Sequence, residues 1–335
     1  MLEHVPCNVC GSESYRLLYE KRDPLSHNCF KVVQCSQCGL GYVNPRPHRE
    51  EMKHYYQGEY YVKRFSRKGG GIISNRGTVL KAYNFYLRRF SRYYPDRVLE
   101  AEKRMCTCQH YGKGKGRLLD IGCANGDFLK IMEDSGFEVH GLEFSDHFIN
   151  KYGLDIVRGD LLDAGYNADS FDIITMWAVL EHVYDPVGYL REISRIMKPS
   201  GTLIFLVPNL KSIPFGVCHN DDIPRHLYIF SSQTIKRMLT LSNLKLKALI
   251  HSNSMFYGGV RGCLIQLVLR SFRFTSEEIN NLNKPIVELL AQREIGLTRY
   301  CVILLSLVDA VASFFLTPLL CMLRFNGIIV VVAEK

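Results

Sequence analysis

Two hydropathy patterns divide this chain of 335 residues. From residue 117 onward, short apolar runs at 118–121, 139–142, 156–157, 172–176 and 202–207 alternate with amphipathic stretches near 127–135, 146–151 and 185–197. Runs of that length predict strands, and the spacing of three and four residues between them predicts helices. Strands alternating with helices demand a mostly parallel sheet covered on both faces. A ligand then sits beyond the carboxyl ends of the strands, where the strand order reverses. Upstream the pattern is different. Alternating runs at 14–19 and 29–33 predict a strand pair, 41–47 is a turn-rich exit, and the tyrosine-rich stretch 49–61 predicts a helix. A basic Gly-rich loop at 67–71 precedes apolar and aromatic residues at helical spacing over 74–111, broken near Pro95.

Four cysteines stand inside the upstream strand pattern. Cys7 and Cys10 form one C-x2-C turn followed by Gly11, and Cys35 and Cys38 form a second followed by Gly39. Each such turn lets two thiolates face one cation, with glycine supplying the unusual backbone angle. Two turns complete a tetrahedral sulfur shell, so a structural Zn2+ in a zinc-ribbon module is expected on Cys7, Cys10, Cys35 and Cys38.

Composition adds two constraints. Apolar residues make up 47% and charged residues 22%, an ordinary globular balance that excludes a disordered chain. The net charge of +9 is uneven: residues 1–116 hold 21 Lys and Arg against 10 Asp and Glu, whereas the remainder holds 21 against 23. A basic N-terminal third suits an anionic substrate, a nucleic acid or an acidic membrane surface as well as solvated helix faces. Residues 1–10 show no basic stretch followed by an apolar run, so no secretory signal is expected. A reducing, cytoplasmic setting is the expectation for the 12 cysteines.

The chemistry lies at the ends of the apolar runs. The first ends in Asp120-Ile121-Gly122-Cys123-Ala124-Asn125-Gly126. Small residues at such a turn let backbone approach a ligand, and a carboxylate beneath it disfavours a pyrophosphate and favours a cationic amino group. Glu143, ending the second run, can accept from ribose hydroxyls. Asp160 and Leu161 follow the third, where a carboxylate can accept from an adenine amino group. Trp177 and Ala178 follow the fourth, ahead of Leu180-Glu181-His182-Val183.

In order, D-I-G-C-A-N-G, G-L-E-F-S, R-G-D-L, F-D-I-I-T-M-W, L-E-H-V-x-D-P and M-K-P-S-G-T-L resemble successive blocks of the class I, Rossmann-like S-adenosylmethionine-dependent methyltransferases over about 117–208. The zinc-ribbon start, N-P-R-P and the segment from Asp222 to Ser231 resemble a subgroup with an N-terminal zinc module, which acts on sugars and natural-product precursors. The resemblance implies a seven-stranded, mostly parallel, doubly wound sheet whose last strand inserts antiparallel. It implies Asp120, Gly122, Ala124 and Gly126 at the methionine end, Glu143 on the ribose, Asp160 and Leu161 at the adenine, and Trp177 and Ala178 near the methyl group. Ala124 departs from the family's usual third glycine. If the acceptor must lose a proton, His226 is the first candidate base and His182 the second, with His219 and Tyr257 behind them.

The implied domains are a ribbon-like module at 1–45, a basic helical segment or lid at 46–116, the core at 117–250, a helical insertion at 251–326 and a last strand at 327–335. Within the insertion, 301–323 is long and apolar with Asp309 its only charge. Asp309 and Pro318 sit awkwardly in a membrane span, so a packed helix with peripheral membrane contact is expected. The expected acceptor is a small molecule, a sugar or a lipid-linked sugar. The competing classes are a zinc-module nucleic-acid-binding or RNA-modifying protein, tested by salt-dependent RNA binding, and a catalytically silent scaffold.

Overall fold

The computed structural model describes residues 1–23, 26–56, 97–112, 115–215, 222–251, 308, 319, 322–324 and 327–335. The 67–71 loop, residues 74–96 of the anticipated helical stretch, His219, Tyr257 and all but four positions of 301–323 lie outside them. Two compact units divide the chain: Met1–Val207 with Asp222–Ile250 and Val330–Lys335, and Pro208–Asp221 with His251–Ile329. Among the described residues of the second, a 3-10 turn spans Leu210–Phe215. Asn209 there donates its main-chain N–H to the carbonyl of Gly327 at 2.9 Å and its side-chain amide to that of Arg324 at 3.0 Å.

The N-terminal strands are β1 (Leu2–Glu3), β2 (Tyr15–Arg22), β3 (Cys29–Cys35), β4 (Gly41–Val43) and β5 (Arg46–Pro47), followed by helix α1 (Arg49–Tyr56). β2 and β3 form the expected antiparallel pair, Tyr15 opposite Cys35 and Arg22 opposite Cys29. Phe30, Val32, Val33, Leu40 and Tyr42 are buried.

Helix α2 (Arg97–Tyr111) leads into the core. There follow β6 (Arg117–Ile121), α3 (Asp127–Asp134), β7 (Glu138–Glu143), β8 (Ile156–Arg158), β9 (Phe171–Trp177), α4 (Pro186–Ile196), β10 (Met197–Pro208), β11 (Tyr228–Ile229), α5 (Ser232–Leu241), β12 (Lys245–His251) and β13 (Ile328–Glu334). Strands β9 and β10 are almost wholly buried, as strands covered on both faces must be. The seven-stranded mixed sheet has the order β12-β13-β10-β9-β6-β7-β8. The step from β6 to β7 runs one way along the sheet and the step from β9 to β10 runs the other. Right-handed crossovers therefore put α3 and α4 on opposite faces, and the switch point falls between β6 and β9.

Local chemistry fixes the helix starts. Asp185 accepts from the main-chain N–H of Gly188 at 2.9 Å and Pro186 occupies the first turn of α4. Ser231 and Thr234 form a reciprocal capping box at α5. The anticipated helix at 146–151 is absent: the segment is a turn and irregular chain. Its amides go to side chains instead, Ile149 N–H to Asn125 Oδ1 at 2.8 Å and Leu154 N–H to Asn150 Oδ1 at 3.0 Å, which offer the backbone an alternative to helix bonds. Among the described residues, no helix is long and apolar enough to cross a membrane.

β11 does not join the core sheet. It pairs antiparallel with β4, giving the four-stranded order β11-β4-β3-β2. The segment after β10 is thus sewn into the cysteine module.

Candidate active site and metal centre

In the N-terminal module the turns bring Cys7 Sγ within 3.4 Å of Cys38 Sγ, and Cys10 Sγ within 3.5 Å of Cys35 Sγ. All four sulfurs lie within 4.8 Å of one another. Each turn is closed by a glycine amide, Gly11 to the carbonyl of Cys7 at 2.7 Å and Gly39 to that of Cys35 at 3.0 Å. Four thiols so gathered, three of them buried, fit a tetrahedral ion. Burial pushes the thiols of Cys7 and Cys38 up, that of Cys38 to about 11. Burial opposes ionisation of Cys35 too, but main-chain N–H bonds from Cys38 and Gln37 and its thiol neighbours bring it down to about 7. A cation among them removes the mutual repulsion of the thiolates.

At the switch point, Asp120 ends β6 and is 2% exposed. Thr175, the polar residue in the apolar run of β9, donates its hydroxyl to Asp120 Oδ1 at 2.6 Å. Burial pushes the Asp120 carboxyl up to about 7, against that hydrogen bond and the positive charge of Arg104. A buried carboxylate held in this way is a feature that a cationic ligand fits. The turn above it admits a close approach: Gly122 has φ 75°, and a Cβ there would meet Val179 Cγ2 at 2.5 Å. Ala124 (φ 51°) and Ala178 (φ 59°) are left-handed without being glycine, and such strain collects at functional sites.

Glu143 at the end of β7 clasps the turn. Its Oε2 accepts from Ala124 N–H at 2.8 Å and its Oε1 from Ser145 N–H at 2.8 Å. Each carboxylate oxygen keeps a second acceptor direction, so holding the loop and receiving hydroxyls are compatible. Asp160, beyond β8, is more heavily committed. Oδ1 accepts from the Tyr189 hydroxyl at 2.8 Å and Leu162 N–H at 3.1 Å, and Oδ2 pairs with Arg49 at 2.6 Å. Burial beside Asp160 pushes the Tyr189 hydroxyl up, so Tyr189 is a donor there. Leu161 is fully buried. Trp177 is 6% exposed, stands edge-on to Phe128 and lies beneath the Arg104 guanidinium, 5.2 Å from its ring centroid. Asp120, Gly122, Ala124, Gly126, Glu143, Asp160, Leu161, Trp177 and Ala178 all stand at or just beyond the carboxyl ends of β6, β7, β8 and β9.

His182 and His226 come together although 44 residues apart, their ring centroids 4.7 Å apart at 78°. Buried Glu181 places a carboxylate oxygen within 4.8 Å of a nitrogen of each. Two more residues complete the group: Tyr56, which the sequence did not mark and whose hydroxyl is 3.0 Å from His182 Nδ1, and Arg225, in the same segment as His226, whose carbonyl lies 3.0 Å from the same atom. Arg225 is itself buried, pairing with Asp23 at 2.9 Å and with Asp222 at 2.7 Å, and donating to the carbonyl of Tyr55 at 3.0 Å.

Residues 86–249 match a protein family described as a methyltransferase domain. The match covers the site residues between Asp120 and His226, whereas Arg49 and Tyr56 lie outside it. Among curated relatives, the ubiquinone biosynthesis O-methyltransferase of Vibrio campbellii is 31% identical over 118 residues, 30% of this chain and 48% of that protein. The demethylmenaquinone methyltransferase of Staphylococcus carnosus is 30% identical over 124 residues, 33% of this chain and 51% of that protein. The chain thus spans about half the length of the curated relatives it matches. Among solved structures, a SAM-dependent methyltransferase from Archaeoglobus fulgidus aligns with 76% of this chain and 99% of its own at 18% identity and a TM-score of 0.42. The matched region is joined, through β11, to a cysteine module that lies outside the family match.

Proposed function

We propose that the chain is an S-adenosylmethionine-dependent methyltransferase acting on a small-molecule acceptor, sugars and lipid-linked sugars included, with structural zinc on Cys7, Cys10, Cys35 and Cys38. The observation that carries this is the buried Asp120 carboxylate beneath a glycine-bounded turn at the sheet's switch point, with Glu143 at the end of the neighbouring strand. Two acids there repel a pyrophosphate and suit a ligand with an ammonium, a sulfonium and a ribose. Asp120, Gly122, Ala124 and Gly126 hold the methionine end, Glu143 the ribose, Asp160 and Leu161 the adenine, and Trp177 and Ala178 wall the methyl group. The relatives' names refer to quinone-pathway compounds, which agrees with a small-molecule acceptor.

When bound, S-adenosylmethionine supplies a methyl group activated by its sulfonium. The residues of the chain then have to align the acceptor, exclude water and receive a proton where the acceptor has one to lose. Trp177 and Phe128 provide the dry wall. His226, with His182 beside it, is the proton-accepting pair. Calorimetric titration with S-adenosylmethionine, S-adenosylhomocysteine and NAD tests this: micromolar binding of the first two and none of NAD is expected. Binding of NAD alone, or of none of the three, would reject it, the second result in favour of the scaffold.

A further inference from the structure

Charge is unevenly spread over the C-terminal part of the chain. From residue 117 onward acids slightly outnumber bases, yet residues 223–276 hold eight Lys and Arg and no Asp or Glu. Helix α5 and strand β12 lie in that run, and Lys236, Arg237, Lys245 and Lys247 on them are all exposed. Exposed Arg191 of the neighbouring helix α4 joins them, its Nε donating to the carbonyl of Leu241 at 3.4 Å. Glu192, the acid next to Arg191, is taken by Arg195 at 2.6 Å. Among the described residues, none of the five cations meets a carboxylate. Like charges gathered without counter-charges repel one another, and an anionic partner relieves the repulsion.

The end of α5 arranges two of these groups around a cleft. Asn243 is left-handed at φ 55°, and Leu244 returns its N–H to the carbonyl of Leu239 at 2.9 Å, a helix ending that reverses the chain tightly. Lys236 and Lys245 thereby line one cleft of about 620 Å³, with buried Leu239 and Leu244 in its wall. Leu241, 41% exposed, stands one turn beyond Arg237 on the outer side of α5. The face is therefore cationic and apolar at once. Residues 231–251 contain no Phe, Tyr or Trp, so α5 and β12 lack the rings on which single-stranded nucleic acid stacks.

We propose that α5 and the start of β12 form a docking face for a bilayer containing anionic phospholipid. The lysines and arginines meet the phosphates, while their aliphatic stems and Leu241 enter the boundary between headgroups and acyl chains. The cleft between Lys236 and Lys245 takes one anionic headgroup. Charge supplies the attraction, and the leucine restricts it to a surface with an apolar layer beneath. The face is remote from the candidate active site. Lys247 donates to the carbonyl of Tyr111 at 3.4 Å, and Tyr111 ends α2 just before β6 begins. Asp120 and Glu143 lie instead toward the carboxyl ends of their strands. Docking thus holds the protein at a membrane without covering that edge of the sheet, and it stands independently of the methyltransferase reading.

The test is sedimentation of the full chain with vesicles of phosphatidylcholine alone and of phosphatidylcholine with about 30% phosphatidylglycerol, at about 0.1 M salt. Binding at least tenfold tighter to the anionic vesicles is expected. Lys236→Glu combined with Lys245→Glu should weaken it at least tenfold, and Leu241→Ser, which leaves the charge alone, at least threefold. Arg16→Glu combined with Lys31→Glu makes the same charge change at exposed positions of the cysteine module and should weaken it less than twofold. Equal binding to both vesicles, or none, overturns the proposal. So does an equal loss in the cysteine-module variant, which would move the contact there, and unchanged binding in Leu241→Ser, which would leave a purely ionic contact. Single-stranded RNA held by the wild-type protein and released by Lys236→Glu with Lys245→Glu, without vesicle binding, would reassign the face to nucleic acid. Circular dichroism checks that each variant is folded. Hydrogen exchange on the wild-type protein needs no variant: amides of α5 and the start of β12 should gain protection on the anionic vesicles, and no gain there overturns the proposal.

Discussion

Removing the Arg225 guanidinium should unfold the junction between the cysteine module and the domain built on the seven-stranded sheet. Arg225 is 1% exposed and Asp23 is fully buried. The guanidinium donates from Nη2 to Asp23 Oδ1 at 2.9 Å, from Nε to Asp222 Oδ1 at 2.8 Å and from Nη1 to the Tyr55 carbonyl at 3.0 Å. Arg225→Met keeps most of the volume and deletes the charge. Asp23 Oδ2 would retain the N–H and hydroxyl of Ser26, at 2.8 and 2.7 Å, but Oδ1 would stay buried without its cation. Breaking one side of such a pair costs about 3–5 kcal/mol. At a urea slope of about 3 kcal/mol per molar, that lowers the unfolding midpoint by roughly 1–2 M. The sole tryptophan, Trp177, reports the transition by fluorescence from the domain itself. Combining Arg225→Met with Asp23→Asn should recover part of the loss, since the stranded charge is gone. A midpoint within ~0.2 M of wild type in Arg225→Met would refute the claim that this pair holds the two parts together.

Three other outcomes are expected. Asp120 has its carboxyl raised to about 7, and a cationic ligand favours its ionised form. S-adenosylmethionine should therefore bind more tightly as pH rises from 6 to 8, releasing a proton, and calorimetry on Asp120→Asn should show weaker binding with that dependence flattened. The same raised value means that Asp120 favours folding below its unfolded pKa near 3.8 and that this contribution is lost as pH rises through about 7. Ala124→Gly relieves a left-handed alanine and should leave stability unchanged or raise it by up to ~1 kcal/mol, whereas Gly122→Ala drives a Cβ to 2.5 Å from Val179 and should cost ~1–3 kcal/mol; thermal melts of the two variants should move apart. Metal analysis should find one zinc per chain, lost on Cys7→Ser together with protection of the β2–β3 amides from hydrogen exchange; a metal-free wild-type protein would end the zinc assignment.

Much of the core was readable along the chain because its signals are local. An apolar run of five residues, a turn of small residues and an acid at the strand's end all lie within ten positions, so β6, β7, β9 and β10 fell where expected. The C-x2-C-G turns were legible for the same reason. The one failure inside the core, at 146–151, came from Asn125 and Asn150 claiming amides that periodicity had assigned to a helix.

By itself the sequence determined the alternation of five core strands with helices, the placing of Asp120 and Glu143 at strand ends and the C-x2-C turns of the cysteines, since each depends on neighbours in the chain. Only the tertiary structure decided what the ends of β4, α1 and β9 meet. β11 pairs with β4 across about 185 residues, and Arg225 reaches Asp23 across 202. The same closure delivers Tyr56 to His182 and commits Asp160 to Arg49 and Tyr189. No periodicity marks such contacts. They form because a buried charge must find its counter-charge and an unpaired strand its partner, wherever in the chain the fold supplies them.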